Sequence, residues 1–592
     1  MGKAGSRGSG SAPPQGPPRL AARRARIAGA AIFAASFAVR LLFWQATPDR
    51  GWAGSAWYQG DAAVWVEYAT ALERGEPFEL GLPLRPPATA YLIAAASHRP
   101  GEPGELRFLW CLLGALTVLA LYRAALRSFG LGVAVGVGLL TAASSGLLML
   151  SSSLNNETPY LMLFALLLWL APTVATRPRP AALAAWGGLH GLACLFRVEH
   201  AVFFGLTSIW LGARWWRSSG GRRAAVQGVQ VGVSLGLALL PWHLAAWPAV
   251  ARFNREPGQV APGVERAQRA LEDSLARIAW SEAARAEAAR LPAFARRTAV
   301  DFVAATVAHR GRSRVEADDL GILEDAFGYR PRALAAYPFI ASSGGLNFAL
   351  ANRPGADGGF SRAALEAPPP LAGGRDRYPS FLVAGLPPPD LSLTYPPHLR
   401  LVNEGYAVGW HWLAQRPART WALLAAKLER FWRGAALGWT GYDLPLGASG
   451  RREPVDLVVP QGPAATIWQI GLLLGVVAGL AAARGRSGMA PWLLFLGSKL
   501  FVTLAFYGYA RQGASTIPVV ALLLVLAAER WLPAAADSRK WLRIALAGSL
   551  AVVGVEALRW LRPPELFVDG QPIVAGARPP AEDHRAHQVR AR

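Results

Sequence analysis

Long apolar stretches separated by short polar turns dominate the pattern of this chain. The clearest are Ile27–Trp44, Leu131–Leu150, Tyr160–Ala175, Ala224–Trp247, Ile467–Ala483, Ala514–Ala528 and Ile544–Leu558. Several approach the roughly 20 residues that a helix needs to cross a bilayer. Weaker stretches between them raise the expected number to about eleven transmembrane helices. The pattern therefore predicts an all-α polytopic membrane protein.

Basic residues mark every second turn and so predict an orientation. Arginines follow the second, fourth and sixth predicted helices, and two more basic turns lie between the C-terminal helices. The positive-inside rule places such turns in the cytoplasm. The first loop and the large hydrophilic insert are therefore expected on the outer face of the membrane.

The same pattern divides the chain into five parts. They are a disordered basic cytoplasmic tail (1–26), an N-terminal transmembrane module (27–248) with a long first loop (47–105), an insert of mixed structure (249–460), the C-terminal transmembrane helices (461–560) and a flexible tail (561–592). Helix seven is expected to end at Pro241-Trp242. Residues 416–433 of the insert are amphipathic, which suits a helix lying at the membrane surface.

Composition changes this picture little, although a net charge of +23 raises nucleic-acid binding as an alternative. Many arginines lie at the ends of apolar stretches, where a topology signal belongs, so we predict no nucleic-acid partner. Cys111 and Cys194 lie inside apolar stretches and form no metal-thiolate spacing. Walker, HExxH, GxSxG and CxxC motifs are missing, which argues against ATP-driven transport and zinc proteolysis.

Two carboxylates stand at the starts of predicted helices on the outer face. Asp61 opens an amphipathic helix that Gly75 closes, and Glu157 immediately precedes helix four. A carboxylate there could act as a general base for a hydroxyl nucleophile. The alternative is structural, because the helix dipole by itself favours an acidic residue in a first turn.

Three arginines are expected on the same face, namely Arg85 in the first loop, Arg197 in the hairpin after helix five and Arg511 before a late helix. Arginine suits a phosphate held at the lipid–water boundary. The alternative for each is that it extends to the lipid headgroups without a ligand. Carboxylates and arginines together favour an enzyme whose substrate has a lipid tail.

Two other classes of function stay open at this point. Arg40 and Lys499 lie within predicted helices, and a transporter or flippase for a lipid-linked sugar would use such charges near the midplane. A catalytically inactive scaffold with a periplasmic binding domain is the third possibility.

These residues resemble motifs of the GT-C superfamily of polyprenyl-phosphate-sugar-dependent glycosyltransferases. The chain is most similar to the bacterial branch related to protein O-mannosyltransferases and lipid A aminoarabinose transferases. The resemblance covers most of residues 28–535. In the transmembrane part it rests on Asp61, Trp65, Ala69, Leu72, Gly75, Arg85-Pro86-Pro87, Glu157, Arg197, Pro241-Trp242 and Arg511 with Pro518. In the insert it rests on Gly345 to Gly358, which includes Asn347, Asn352 and Asp357, and on Arg416 to Trp432.

The resemblance implies a fold, a reaction and partners. It implies a GT-C-like bundle in the bacterial inner membrane with its active site facing the periplasm. A sugar would pass with inversion from a polyprenyl-phosphate carrier to a hydroxyl of a lipid, glycan or protein acceptor. Asp61 and Glu157 would be catalytic, and Arg85, Arg197 and Arg511 would bind the donor phosphate.

Two departures from the family pattern limit what can be carried over. Ala62 follows Asp61 where many members have a second carboxylate, so a divalent metal ion in this loop stays open. The insert reads Ala351-Asn352-Arg353-Pro354 where the family has Gly-Asn-Asn-Pro. If Asn347, Asn352 and Asp357 contact the acceptor, the acceptor of this protein can differ.

The orientation gives a first testable prediction. Reporters that are active only outside the cytoplasm, fused after residues 80 and 350, should both be active, because the basic turns hold the opposite ends of the helices inside. A reporter after residue 125 should be silent and serves as the control. A silent reporter at either outer position would reverse the predicted topology.

Overall fold

The structure is a computed structural model. It describes residues 18–46, 62–75, 83–97, 103–255, 278–291, 293–323, 338–361, 365, 391, 396–436, 463–486, 488–529, 538–560, 567–568 and 571–572. Nearly all of these residues are helical, which confirms the predicted all-α class.

The N-terminal part is a bundle of helices that follow one another closely along the chain. The described helices are α1 (Pro18–Ala46), α2 (Ala62–Glu73), α3 (Ala88–Ala96), α4 (Pro103–Phe129), α5 (Leu131–Ala142), α6 (Ser145–Ser152), α7 (Glu157–Thr176), α8 (Pro180–Phe196), α9 (His200–Ser219) and α10 (Gly221–Arg255). Helix α4 packs on α1, α5 and α7, and α10 packs on α8.

The insert and the C-terminal part are also mainly helical. Their described helices are α11 (Glu282–Ala289), α12 (Ala293–His309), α13 (Gly344–Ala351), α14 (Pro396–Gln415), α15 (Pro417–Ala436), α16 (Pro463–Ala483), α17 (Ala490–Ala505), α18 (Ala510–Ala514), α19 (Ile517–Glu529) and α20 (Ser538–Trp560). Two-residue strands β1 (Ala279–Trp280) and β2 (Arg314–Val315) pair in parallel, and β3 (Phe567–Val568) and β4 (Gln571–Pro572) pair antiparallel. A short 3₁₀ turn at Ala317–Leu320 follows β2.

One hydrophobic core joins the two transmembrane parts. Side chains of α1, α4, α5 and α7 pack in the same buried cluster as side chains of α17 and α19. Helix α1 also packs along α20. The C-terminal helices therefore complete the N-terminal bundle instead of forming a separate unit.

Six of the described helices are long and apolar enough to cross a membrane, or seven if α5 and α6 count as one span. Each of the eleven predicted spans has a helical counterpart. However, α8, α17 and α19 are shorter than a full crossing, and α9 does not reach the hydropathy of the six. The count of eleven therefore stays a prediction.

The predicted third helix is broken in the structure. Helices α5 and α6 meet at an angle of 55°. The hydroxyl of Ser144 accepts a hydrogen bond from Leu147 N at 3.3 Å and so caps the start of α6. Serine competes for backbone hydrogen bonds and favours such a cap over a helix interior.

The predicted end of helix seven at Pro241-Trp242 is wrong. Helix α10 continues through Pro241 and Pro248 to Arg255. A proline removes one helical hydrogen bond and can bend a helix without ending it. Trp242 donates from Nε1 to the carbonyl of Ile340 at 2.9 Å, so the motif anchors the insert to the middle of α10.

The insert segment 338–361 is fastened to several parts of the bundle. Besides the contact with Trp242, Ser342 N donates to Pro83 O at 2.7 Å in the first loop. Gly508 N donates to Gly358 O at 2.8 Å, and Gly358 has a φ of +93° that favours glycine. The segment thus ties the first loop to the turn that follows α17.

Helix α15 lies directly on that turn, as its amphipathic sequence allows. Phe431 and Leu423 are buried, whereas Trp421 on the other face is 72% exposed. A Cβ atom on Gly434 would collide with the backbone of Ala510, so only glycine permits this close approach. The predicted helix at 416–433 is therefore present, and its position at the membrane surface stays a prediction.

Lys427 is the polar centre of this contact. Its side chain is completely buried, and Nζ donates to Asn352 Oδ1 at 2.7 Å and to Leu504 O at 3.1 Å. Asn352 Nδ2 donates in turn to Ala505 O at 2.9 Å. Burial lowers the pKa of Lys427 to about 7, because leaving water disfavours the charged form.

This depressed pKa gives a prediction for stability. The folded-state pKa lies below the unfolded value, so the unfolded chain binds more protons between about pH 7 and pH 10, and folding stability rises with pH in that window. The thermal midpoint of the wild type in detergent, relative to that of Lys427→Met, should rise between pH 7 and pH 9. The exposed Lys540→Met serves as the control and should show no such trend. An unchanged difference for Lys427→Met would contradict the assignment.

Candidate functional site

A buried group of charged side chains lies where several helix ends meet. Glu157 begins α7, Arg197 and Glu199 lie between α8 and α9, and Arg511 lies in α18. Lys499 belongs to α17, six residues before its end, which corresponds to roughly 9 Å of helix. We call these five residues the charge cluster.

Glu157 is the centre of the charge cluster. Its side chain is completely buried. Oε1 forms an ion pair with Arg197 Nη1 and lies 3.5 Å from Arg511 Nε. The structure thus brings together two of the three arginines and one of the two carboxylates that the sequence singled out.

Glu199 forms the second half of the charge cluster. Its Oε1 pairs with Arg197 Nε and lies 3.6 Å from Lys499 Nζ. Burial raises the pKa of Glu199, but the charges of Arg197 and Lys499 outweigh this effect and lower it to about 2. The ion pairs with Arg197 and Lys499 therefore favour the anionic form of Glu199.

Aromatic and histidine side chains support the cluster from within the bundle. Lys499 Nζ lies 4.6 Å from the ring centroid of Tyr160, which is within cation–π range. The hydroxyl of Tyr160 and His200 Nδ1 are 3.1 Å apart, and His200 Nε2 is 2.8 Å from His190 Nδ1. All three of these side chains are buried, so the chain of contacts holds the Tyr160 ring in one place.

Among its five members, the charge cluster carries a surplus of one positive charge, because three cations surround two carboxylates. Burying charges is costly unless they are paired and hydrogen-bonded. Arg197 Nη2 makes no hydrogen bond to any described residue, while Nε and Nη1 are both bonded. The arrangement suits an anion that approaches the helix ends and completes the charge balance.

Arg85 lies beside Tyr68 of α2 and not on Glu157. Its Nη1 donates to the Tyr68 hydroxyl at 2.6 Å, and its guanidinium carbon is 5.8 Å from the ring centroid. The adjacent Leu84 packs in the same hydrophobic cluster as Tyr507 and Tyr509. Through these neighbours, the loop that holds Arg85 reaches the segment that holds Arg511.

Asp61 lies outside the described residues. Helix α2 begins at the next residue, and Trp65 and Ala69 on its inner face are buried as the spacing predicted. Gly75 has a φ of +68° just after the helix ends, in agreement with its predicted role as the helix stop. The helix expected at Asp61 is thus confirmed, and the role of Asp61 stays a prediction.

The three insert residues lie on or beside α13. Asn347 is half-buried on the helix, and the buried Asn352 side chain is engaged with Lys427. Asp357 Oδ2 accepts a hydrogen bond from Arg430 at 2.6 Å. These contacts explain Asn352 and Asp357 as links between α13 and α15, and an acceptor contact stays a prediction.

Within the part of the chain that the structure describes, the geometry shows neither a metal site nor a pairing of Arg40 with Lys499. Among the described residues, which do not include Asp61, no three His, Cys, Asp or Glu side chains group closely enough to hold a metal ion. Arg40 donates to Ser36 and Ser151 of α1 and α6, whereas Lys499 contacts Glu199 and Tyr160. The two charges named for transport therefore belong to different groups of side chains.

Part of the chain that contributes to this site matches a known protein family. Residues 84–242 match the family of dolichyl-phosphate-mannose-protein mannosyltransferases. That family is part of the GT-C superfamily, so the resemblance found in the sequence is confirmed for residues 84–242. The match supports a glycosyltransferase that uses a lipid-phosphate-linked sugar. Comparisons with curated proteins and with solved structures give no match.

The match covers roughly a quarter of the chain and contains Arg85, Glu157 and Arg197. Lys499 and Arg511 lie beyond it, yet they complete the same charge cluster. Sequence reasoning did not place Glu199 in the site and assigned Lys499 to the transport alternative. Two features of the sequence could have indicated these residues. One is the acidic residue two positions after Arg197, and the other is a lysine inside an apolar helix, where a charged side chain needs a partner.

The position of Glu157 between two arginines predicts its effect on stability. Glu157→Gln should lower the free energy of unfolding by about 3 kcal/mol, because it leaves buried cations without their shared anion. Thermal unfolding in detergent measures the loss. Glu529→Gln, which breaks a surface pair with Arg486, should cost at most about 1 kcal/mol. Equal losses for the two variants would contradict a buried structural role.

Proposed function

We propose that this protein is a glycosyltransferase that moves a sugar from a polyprenyl-phosphate carrier to an acceptor hydroxyl on the periplasmic face of the bacterial inner membrane. The observation that carries the proposal is the charge cluster, which has a net positive charge and is buried where transmembrane helices end. A phosphate on a lipid tail reaches this depth while its tail stays between or beside the helices.

The donor phosphate would bind to Arg197 and Arg511, with Arg85 approaching from the first loop. Arginine presents several N–H donors in a plane that matches phosphate oxygens. Glu157 holds Arg197 and Arg511 towards one point. Its complete burial and its two ion pairs favour a positioning role for Glu157 over a role as the proton acceptor.

Asp61 would accept the proton of the acceptor hydroxyl. The hydroxyl oxygen then attacks the anomeric carbon and forms the new glycosidic bond, while the bond from that carbon to the phosphate oxygen breaks. The electron pair of the broken bond leaves with the lipid phosphate, where the arginines stabilise the charge. Displacement in one step inverts the anomeric centre.

Loss of Asp61 tests this reaction. Asp61→Asn keeps the size of the side chain but cannot accept a proton, so turnover should fall by roughly 10²–10⁴. A deletion strain complemented with the variant is compared with wild type by mass spectrometry of its glycolipids and glycoproteins. The sugar-bearing product that disappears in the deletion strain should return with wild type and stay absent or scarce with Asp61→Asn.

Glu67→Gln is the matched control, because Glu67 is an exposed carboxylate on helix α2, which begins at the residue after Asp61. It should restore the product fully, and membrane levels of all variants are compared by immunoblot. If the deletion changes no sugar-bearing product, the proposed function is wrong. Full restoration by Asp61→Asn would instead remove Asp61 as the base.

A further inference from the structure

We propose that Lys499 is a third ligand of the donor phosphate. This inference rests on the proposed function and assigns a residue that lies outside the matched family range. It starts from a buried cation whose hydrogen-bonding capacity is unused within the described part of the chain.

Lys499 is only 2% exposed, yet its Nζ makes no hydrogen bond to any described residue. The carboxylate within ion-pair distance is Glu199, whose Oε1 lies 3.6 Å away and already accepts from Arg197 Nε. An ammonium group has three donors and no acceptor. Leaving all three unused inside a membrane protein is costly, so an acceptor in this position is expected.

The surroundings hold the ammonium group in place without using its donors. Nζ lies 4.6 Å from the ring centroid of Tyr160 and 5.6 Å from that of Phe495. These rings stabilise a cation through their faces. The contact between Tyr160 and His200 fixes the first ring. A simple structural lysine would be expected to hydrogen-bond to a nearby carbonyl or carboxylate, as Lys427 does with Asn352 and Leu504.

A phosphate oxygen would supply the missing acceptor. Arg197 connects the two halves of the charge cluster, because it pairs with Glu157 on one side and with Glu199 on the other. Lys499 lies beside Glu199 in one half, and Arg511 lies beside Glu157 in the other. An anion that approaches Arg197 Nη2 would come between these halves, where Lys499 of α17 and Arg511 of α18 would both attract it.

Binding of farnesyl phosphate to the purified protein in detergent tests the inference without requiring sugar transfer. Isothermal titration should show binding to wild type and a dissociation constant that is roughly tenfold or more higher for Lys499→Met, because a charge-assisted hydrogen bond is lost. Lys540→Met, a change at an exposed lysine of α20, should bind as wild type does. Farnesol, which has the lipid tail but no phosphate, should give the same binding result with Lys499→Met as with wild type.

The other possible results of this binding experiment each contradict a specific part of the proposal. If Lys499→Met binds farnesyl phosphate as wild type does while Arg197→Ala does not, Lys499 is a structural residue and the proposed donor site remains. If wild type does not bind farnesyl phosphate, both proposals are wrong. If inorganic phosphate binds as tightly as farnesyl phosphate, the site serves free phosphate and not a lipid donor. If Lys499→Met does not purify as a folded protein, Lys499→Gln is measured in its place and read by the same criteria.

Discussion

The buried carboxylate of Glu157 is the interaction on which the rest of the site depends. It joins Arg197 from the hairpin after α8 to Arg511 from the segment after α17. These two segments are far apart in sequence and approach one another only because the N-terminal and C-terminal helices share one core. Without the anion, two guanidinium groups would face one another in a region of low dielectric constant, where like charges repel strongly. Glu157 therefore makes a concentration of positive charge compatible with a folded bundle.

Arg197 is constrained by carboxylates on two sides, which bears on the proposed binding of an anion. Arg197 uses Nε for Glu199 and Nη1 for Glu157, so its plane is fixed before any ligand arrives. Fixing a side chain in advance removes part of the entropy that binding would otherwise cost. The carboxylates thus reduce the net charge of the cluster to a surplus of one while they improve its geometry.

Hydrophobic spacing was sufficient to predict the helices, because a membrane allows little other than helices to satisfy the backbone. It did not predict the break at Ser144, because that break depends on the serine hydroxyl capping the start of α6. It also did not predict that α10 continues through Pro241, because hydrophobic spacing does not show whether a proline ends a helix or only bends it. For the site, the position of Glu157 and Arg197 at neighbouring helix ends was visible in the sequence. The pairing of Lys499 with Glu199 was not, because one sequence contains no information on which distant helices become neighbours.

The insert determines where Arg511 stands, although none of its described residues belongs to the charge cluster. Arg511 follows the turn at Gly508, and that turn is held between Gly358 on one side and the backbone of Lys427 on the other. Lys427 is in turn bonded to Asn352 and to the end of α17. A shift of α15 would therefore move Arg511 relative to Glu157 and to the end of the helix that carries Lys499. The segment that resembles the insert motif of the GT-C glycosyltransferases is thus coupled mechanically to Arg511, one of the residues that we propose to bind the donor phosphate. This coupling gives a physical reason for such a motif to accompany the transmembrane charges even where its asparagine does not touch an acceptor.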